Sequence, residues 1–127
     1  MKLCNWMLLA LAFLIIYFIS NASATPGIAT FYTNYRPSAC YGNQDEGVMI
    51  GAASDPLWNN GAICGKYFTV RCTGPTNPYP KSCKGKNSVR IKIVDHCPGC
   101  GGTLDLSKEA FAAIADPVAG RIKIDYS

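Results

Sequence analysis

Seven cysteines in a chain of 127 residues limit what this sequence can fold into more than any other feature. The first, Cys4, falls in a leader. Lys2 gives a positive start, Met7 to Ile19 runs without a charge, and Ala22-Ser23-Ala24 is the small-x-small pattern that signal peptidase accepts. Residues 1–24 are therefore read as a secretory signal and Thr25 as the start of the mature chain. The apolar run is shorter than the roughly twenty residues a permanent span needs, so no transmembrane segment is expected in the mature form. Six cysteines remain, Cys40, Cys64, Cys72, Cys83, Cys97 and Cys100. An even number in a short exported chain is a disulfide framework, and spacing alone leaves its pairing open. Residues 25–127 suffice for one small domain. A domain of about 100 residues buries a modest share of its surface, so closing a loop of about 25 residues in the unfolded chain adds roughly 3 kcal/mol.

Sharper uses of Cys97-Pro98-Gly99-Cys100 lack their context. A redox motif calls for a thioredoxin-like βαβ unit, and a zinc knuckle for a second ligand pair, whereas His96 is the sole histidine. A structural disulfide is the reading adopted, with no metal and no cofactor. Without Lys2 the chain carries eleven Lys plus Arg against eight Asp plus Glu. Lys81, Lys84, Lys86, Arg90 and Lys92 concentrate that charge, but no nucleic-acid recognition motif accompanies them, so nucleic acid is excluded as a partner. They read as a solvated strand edge, where lysines discourage edge-to-edge pairing, with acidic wall polysaccharide or an anionic surface as the alternative.

Periodicity favours strands. Ile28 to Tyr32 is β-rich, Tyr67 to Cys72 alternates Phe68 and Val70 against Thr69 and Arg71, Val89 to Val94 alternates cleanly, and Arg121 to Tyr126 repeats the pattern. One helix is convincing: Ser107 caps it, Ala110, Phe111 and Ile114 form its buried face, and Asp116-Pro117 ends it. A compact β-barrel with one or two short helices is the expected assembly.

Asp95 and Asp105 bracket the cysteine-glycine loop, the first at a strand end and the second just before the helical pattern. They can converge on one surface, as acid chemistry on sugars or recognition of them requires. The alternatives are a turn role for Asp95 and, for Asp105, acceptance of backbone donors at the helix entrance. Tyr32, Tyr35, Tyr41, Trp58, Tyr67 and Tyr79 offer faces for pyranose stacking, although some must serve the core.

Ala29-Thr30-Phe31-Tyr32, Ala39-Cys40-Tyr41-Gly42, Leu57-Trp58-Asn59-Asn60-Gly61, Cys64-Gly65, Val70-Arg71-Cys72, Val94-Asp95-His96-Cys97 and Leu104-Asp105-Leu106-Ser107 with Ala110-Phe111 follow one another along the chain. In this order they resemble the first domain of expansins, and more closely the small plant proteins made of that domain alone, the plant natriuretic peptides and EG45-like domain proteins. The resemblance spans the mature chain. It implies a mainly β fold, a disulfide-stabilised six-stranded double-psi β-barrel, exported to the plant apoplast or cell wall as a monomer. It also implies pairing of Cys40 with Cys64 and of Cys72 with Cys83, leaving Cys97 to Cys100. The other expansin bridge has lost its first cysteine, where Tyr67 stands.

The same resemblance places Asp105 at the general acid of family-45 endoglucanases, and Thr30 and Asp95 at two further groove positions. Tyr32 and Trp58 complete the implied polysaccharide groove. Thr33-Asn34-Tyr35 occupy the region where the hydrolases carry their base, and a glycosidase with one carboxylate cannot activate its water. Thr103 and Leu104 precede Asp105 where expansins have His-Phe, and the second, cellulose-binding domain of expansins is missing. The expectation is a non-enzymatic secreted protein acting in water and solute homeostasis or stress and defence signalling through a cell-surface receptor. Its signalling surface would be Tyr35, Arg36, Asp45, Glu46 and Lys66. The alternative is a wall-polysaccharide binder or weakly lytic expansin-like protein.

Overall fold

The computed structural model describes residues 23–84 and 87–127. The expected leader, apart from its last two residues, and Lys86 of the basic cluster lie outside the described residues. Strands β1 (Thr25–Tyr32), β2 (Ile50–Ser54), β3 (Tyr67–Pro75), β4 (Ser88–Cys97), β5 (Leu104–Ser107) and β6 (Ile122–Tyr126) are joined by helix α1 (Asp55–Trp58), helix α2 (Lys108–Ile114) and two single 3-10 turns. They close into a barrel in the order β1-β5-β2-β4-β3-β6. The β1/β5 and β2/β4 contacts are parallel and the other four antiparallel. This is the six-stranded double-psi β-barrel.

Alternation explains the strands that were expected. Val70, Val89, Ile91, Ile93, Ile122 and Ile124 point into the barrel, while Thr69, Arg71, Ser88 and Arg90 face water. Leu104, Leu106 and the α2 residues Ala110, Phe111 and Ile114 close the same core, with no exposed surface on any of the five. Two strands were not foreseen. β2 reads Ile-Gly-Ala-Ala-Ser and is buried throughout, so it shows no alternation, and β5 is only four residues long.

Ser107 caps α2 as expected: its Oγ accepts the Ala110 N–H at 3.0 Å and donates to the Val48 carbonyl. One buried hydroxyl thus joins the helix to the segment that precedes β2. Ser107→Ala is expected to cost about 1 kcal/mol, the usual worth of such a cap, seen as a lower urea midpoint at unchanged slope.

Two expectations need correction. Cys40–Cys64 and Cys72–Cys83 are bonded, but Cys97 and Cys100 are free thiols rather than a bridge. Each sulfur is turned to an acceptor, Cys97 Sγ to Asp105 Oδ2 at 3.8 Å and Cys100 Sγ to the Gly102 carbonyl at 3.9 Å. Arg90 and Lys92 of the basic cluster are not on a strand edge, because ring closure pairs β4 on both sides, with β2 and β3. Arg90 instead lies over the Tyr67 ring at 4.9 Å, and Lys92 pairs with Glu46 at 2.8 Å. Asp105, for which a helix-entrance role was the alternative, does not cap the helix. It lies within β5, and Ser107 takes the capping role.

Candidate functional site

Register brings the two carboxylates together. Thr30 on β1 is opposite Asp105 on β5, Asp105 is opposite Ala52 on β2, and Ala52 is opposite Asp95 on β4. Residues side by side in a sheet share a face, so Thr30, Asp105, Ala52 and Asp95 form one row across four strands. Ala52 is the small floor between the acids. It is 3% exposed yet lies apart from the barrel core.

Asp95 reaches that face through a bulge. Ile91 and Ile93 point inward, so strict alternation would send residue 95 into the barrel. Between Gly51↔Ile93 and Ala52↔Asp95 the register skips Val94, and the extra residue returns Asp95 to the outer face. There Asp95 Oδ1 accepts the N–H groups of Ala39 at 2.8 Å and His96 at 2.9 Å. Asp95 therefore also ties the 33–49 segment to the barrel, a task shared with the Cys40 N–H bond to Val94 O at 3.0 Å.

Asp105 Oδ1 accepts the Thr30 hydroxyl at 2.8 Å. Burial pushes its carboxyl above the ordinary range, and the Asp95 charge adds to this against the Thr30 and Cys97 hydrogen bonds. Tyr32 stands beside both acids. Burial, then Asp95, then Asp105, hold its phenol well above its usual value. Its buried hydroxyl has no hydrogen-bond partner among the described residues, which is uncommon for such a group.

At one end of the row the Trp58 ring stacks on His96, with centroids 4.5 Å apart and planes at 4°. His96 Nε2 lies 2.7 Å from Asp55 Oδ1, whose carboxyl is held below its ordinary value by the Gly99 N–H first and then by His96. His96 and Asp55 were not anticipated as site residues. Their contact crosses from α1 to β4, and one isolated histidine gave no signal for it. Trp58 is half-buried, neither wholly core nor freely exposed.

The 33–49 segment builds a concavity. Tyr35, Arg36, Ser38, Gln44, Asp45, Glu46, Gly47 and Val48 line a cavity of about 170 Å³ floored by Ile50 and Val94. Tyr35 links it to the carboxylate row, meeting the Tyr32 ring edge-on at 5.3 Å while its hydroxyl donates to Glu109 and accepts the Lys108 N–H. Lys66 is exposed and is not part of that lining. Tyr67 is half-exposed beneath Arg90. Tyr79 is bound to Asp116 at 2.7 Å and packs on the core.

The raised Asp105 carboxyl has a measurable consequence. A carboxyl whose value is higher in the folded chain than in the unfolded one binds more protons when folded, so its ionisation lowers stability as pH rises past the ordinary aspartate range. Asp105→Asn is therefore expected to be more stable relative to the parent at pH 7 than below that range. Urea midpoints at the two pH values check this, and an equal difference at both would contradict it.

Fold and row together define a disulfide-braced double-psi β-barrel with two carboxylates in one row on its outer face. A family model described as lytic transglycolase matches residues 50–126. The chain is 64% identical over 113 residues to putative EG45-like domain containing protein 1 of Arabidopsis thaliana, covering 88% of this chain and 89% of that protein. It is 58% identical over 111 residues to an EG45-like domain containing protein of Citrus jambhiri, covering 85% and 84%. The chain belongs to the EG45-like domain containing proteins, an expansin-related family. Among solved structures it is similar to a variant of the Clavibacter michiganensis expansin in complex with cellohexaose. That match has 34% identity and a TM-score of 0.61, and it covers 83% of this chain and half of that one.

Proposed function

We propose that this chain is a secreted, monomeric, non-enzymatic protein of the plant apoplast, acting in water and solute homeostasis or stress and defence signalling through a cell-surface partner. The observation that carries this reading is the convergence of Tyr35, Arg36, Asp45 and Glu46 on one cavity. A concave site with both charge signs and an aromatic wall suits recognition of a folded partner's polar side chains. The Cys40–Cys64 bridge and Asp95 hold its frame to the barrel. Hydrolysis is disfavoured by the chemistry of the groove: Thr33 and Asn34 supply no base, and Asp95 Oδ1 already accepts two backbone N–H groups.

A second reading is favoured by a separate observation. Thr30, Tyr32, Asp95 and Asp105 form a polar floor, with the Trp58 and His96 stack at its end. A variant of the related expansin was solved with cellohexaose, which supports a glucan-binding role for this face.

Release of reducing ends from cellulose, xyloglucan and mixed-linkage glucan tests the non-enzymatic claim. No release above background is expected, and Asn34→Asp is the gain-of-function probe. Turnover by the unmodified protein that disappears in Asp105→Asn would overturn the proposal.

A further inference from the structure

We infer that Cys97 and Cys100 form a thiol–disulfide site whose oxidation state decides whether Asp105 receives a hydrogen bond from Cys97. The two cysteines flank a Pro98-Gly99 turn in which Gly99 adopts φ +64° and the Cys100 N–H points to the Cys97 carbonyl at 3.4 Å. The turn is pinned on both flanks. Asp55 Oδ2 accepts the Gly99 N–H at 3.0 Å, the Thr103 N–H bonds to Ile28 O at 2.7 Å, and a Cβ on Gly102 would come within 3.1 Å of that same carbonyl. A loop fixed in this way keeps the two cysteines side by side in either state. Both are half-buried, so small reagents have access to them.

Cys97 Sγ lies 3.8 Å from Asp105 Oδ2, placing the thiol as the second donor to a carboxylate that Thr30 already serves on Oδ1. The oxidant named is a low-molecular-weight disulfide. Burial and the neighbouring Asp105 charge hold Cys97 in its thiol form, so attack begins at the Cys100 sulfur. Its thiolate breaks the reagent's S–S bond, forming a mixed disulfide and releasing one small thiol. The Cys97 sulfur then displaces the second small thiol and closes the protein bridge. Two protons and two electrons pass from the cysteines to the reagent, which leaves as two thiols. Cys97 now has no S–H, Asp105 keeps the Thr30 donor alone, and its carboxyl holds its proton to higher pH. The site thus couples the thiol–disulfide balance of the surroundings to the charge of the groove.

The test uses the full secreted chain and reads thiols and protons, not glucan or receptor binding, so its failure is separable from failure of the proposed function. After mild reduction, alkylation followed by intact mass should add two groups while Cys40–Cys64 and Cys72–Cys83 stay closed. After glutathione disulfide it should add none. Carboxyl-carbon NMR should place the Asp105 titration at higher pH in the oxidised form than in the reduced form. Cys100→Ser, which retains the Cys97 thiol and cannot close the bridge, should titrate like the reduced parent whatever the oxidant. Two results would each overturn the inference: no condition in which two alkyl groups enter before the other bridges open, or an Asp105 titration identical in both states.

Discussion

Opening the Cys40–Cys64 bridge with the double change Cys40→Ser, Cys64→Ser is expected to lower stability by about 3 kcal/mol and to abolish recognition by the 33–49 face. The two cysteines are 24 positions apart, so the bridge closes the larger of the two disulfide loops, against 11 for Cys72–Cys83. Loop length alone makes the second bridge worth about 0.7 kcal/mol less. The functional loss follows from position. Cys40 directly follows Ser38, in the cavity wall, and Ala39, whose N–H bonds to Asp95, and the bridge fastens that stretch to the turn beyond α1. Thermal or urea unfolding of the double variant checks the first part. A loss below about 1 kcal/mol would show that the segment is held by its barrel contacts without the bridge.

Much of the barrel can be read from the sequence because four strands alternate and one helix carries its own cap. What escaped was set by contacts distant along the chain. β2 is buried on both faces, so Ile50-Gly51-Ala52-Ala53-Ser54 lacks the period-two signal on which strand reading depends. β5 is short and runs directly into α2, which makes Asp105 look like a helix entrance when it is a strand residue opposite both Thr30 and Ala52. Convergence of Asp95 and Asp105 was legible; its cause was not. The clean alternation of Val89, Ile91 and Ile93 predicts an inward residue 95, and the Val94 bulge depends on the neighbouring strand. His96 and Asp55 lie 41 positions apart, and nothing local joins them. The surface inferred from resemblance divides in a similar way, because Tyr35, Arg36, Asp45 and Glu46 share a cavity while Lys66 lies outside its lining.

That division supplies the second large effect. Arg36→Glu is expected to weaken binding to the proposed cell-surface partner tenfold or more, the usual result of removing a charge-assisted hydrogen bond from a recognition site. Arg36 is exposed and has no ion pair among the described residues, so the substitution should leave stability within about 0.5 kcal/mol of the parent. Lys66→Glu makes the same charge change beyond the cavity lining and should have little effect on binding. Equal losses in both variants would point to general electrostatic attraction in place of a defined site.

The most direct measurement is a side-by-side titration of the purified protein against a plant plasma-membrane fraction and against soluble β-glucans, with Arg36→Glu and Asp105→Asn run in parallel. The proposed function predicts saturable binding to the membrane fraction that Arg36→Glu weakens at least tenfold and Asp105→Asn leaves intact. Binding confined to the glucans and lost in Asp105→Asn would contradict it, and would assign the chain's function to the groove.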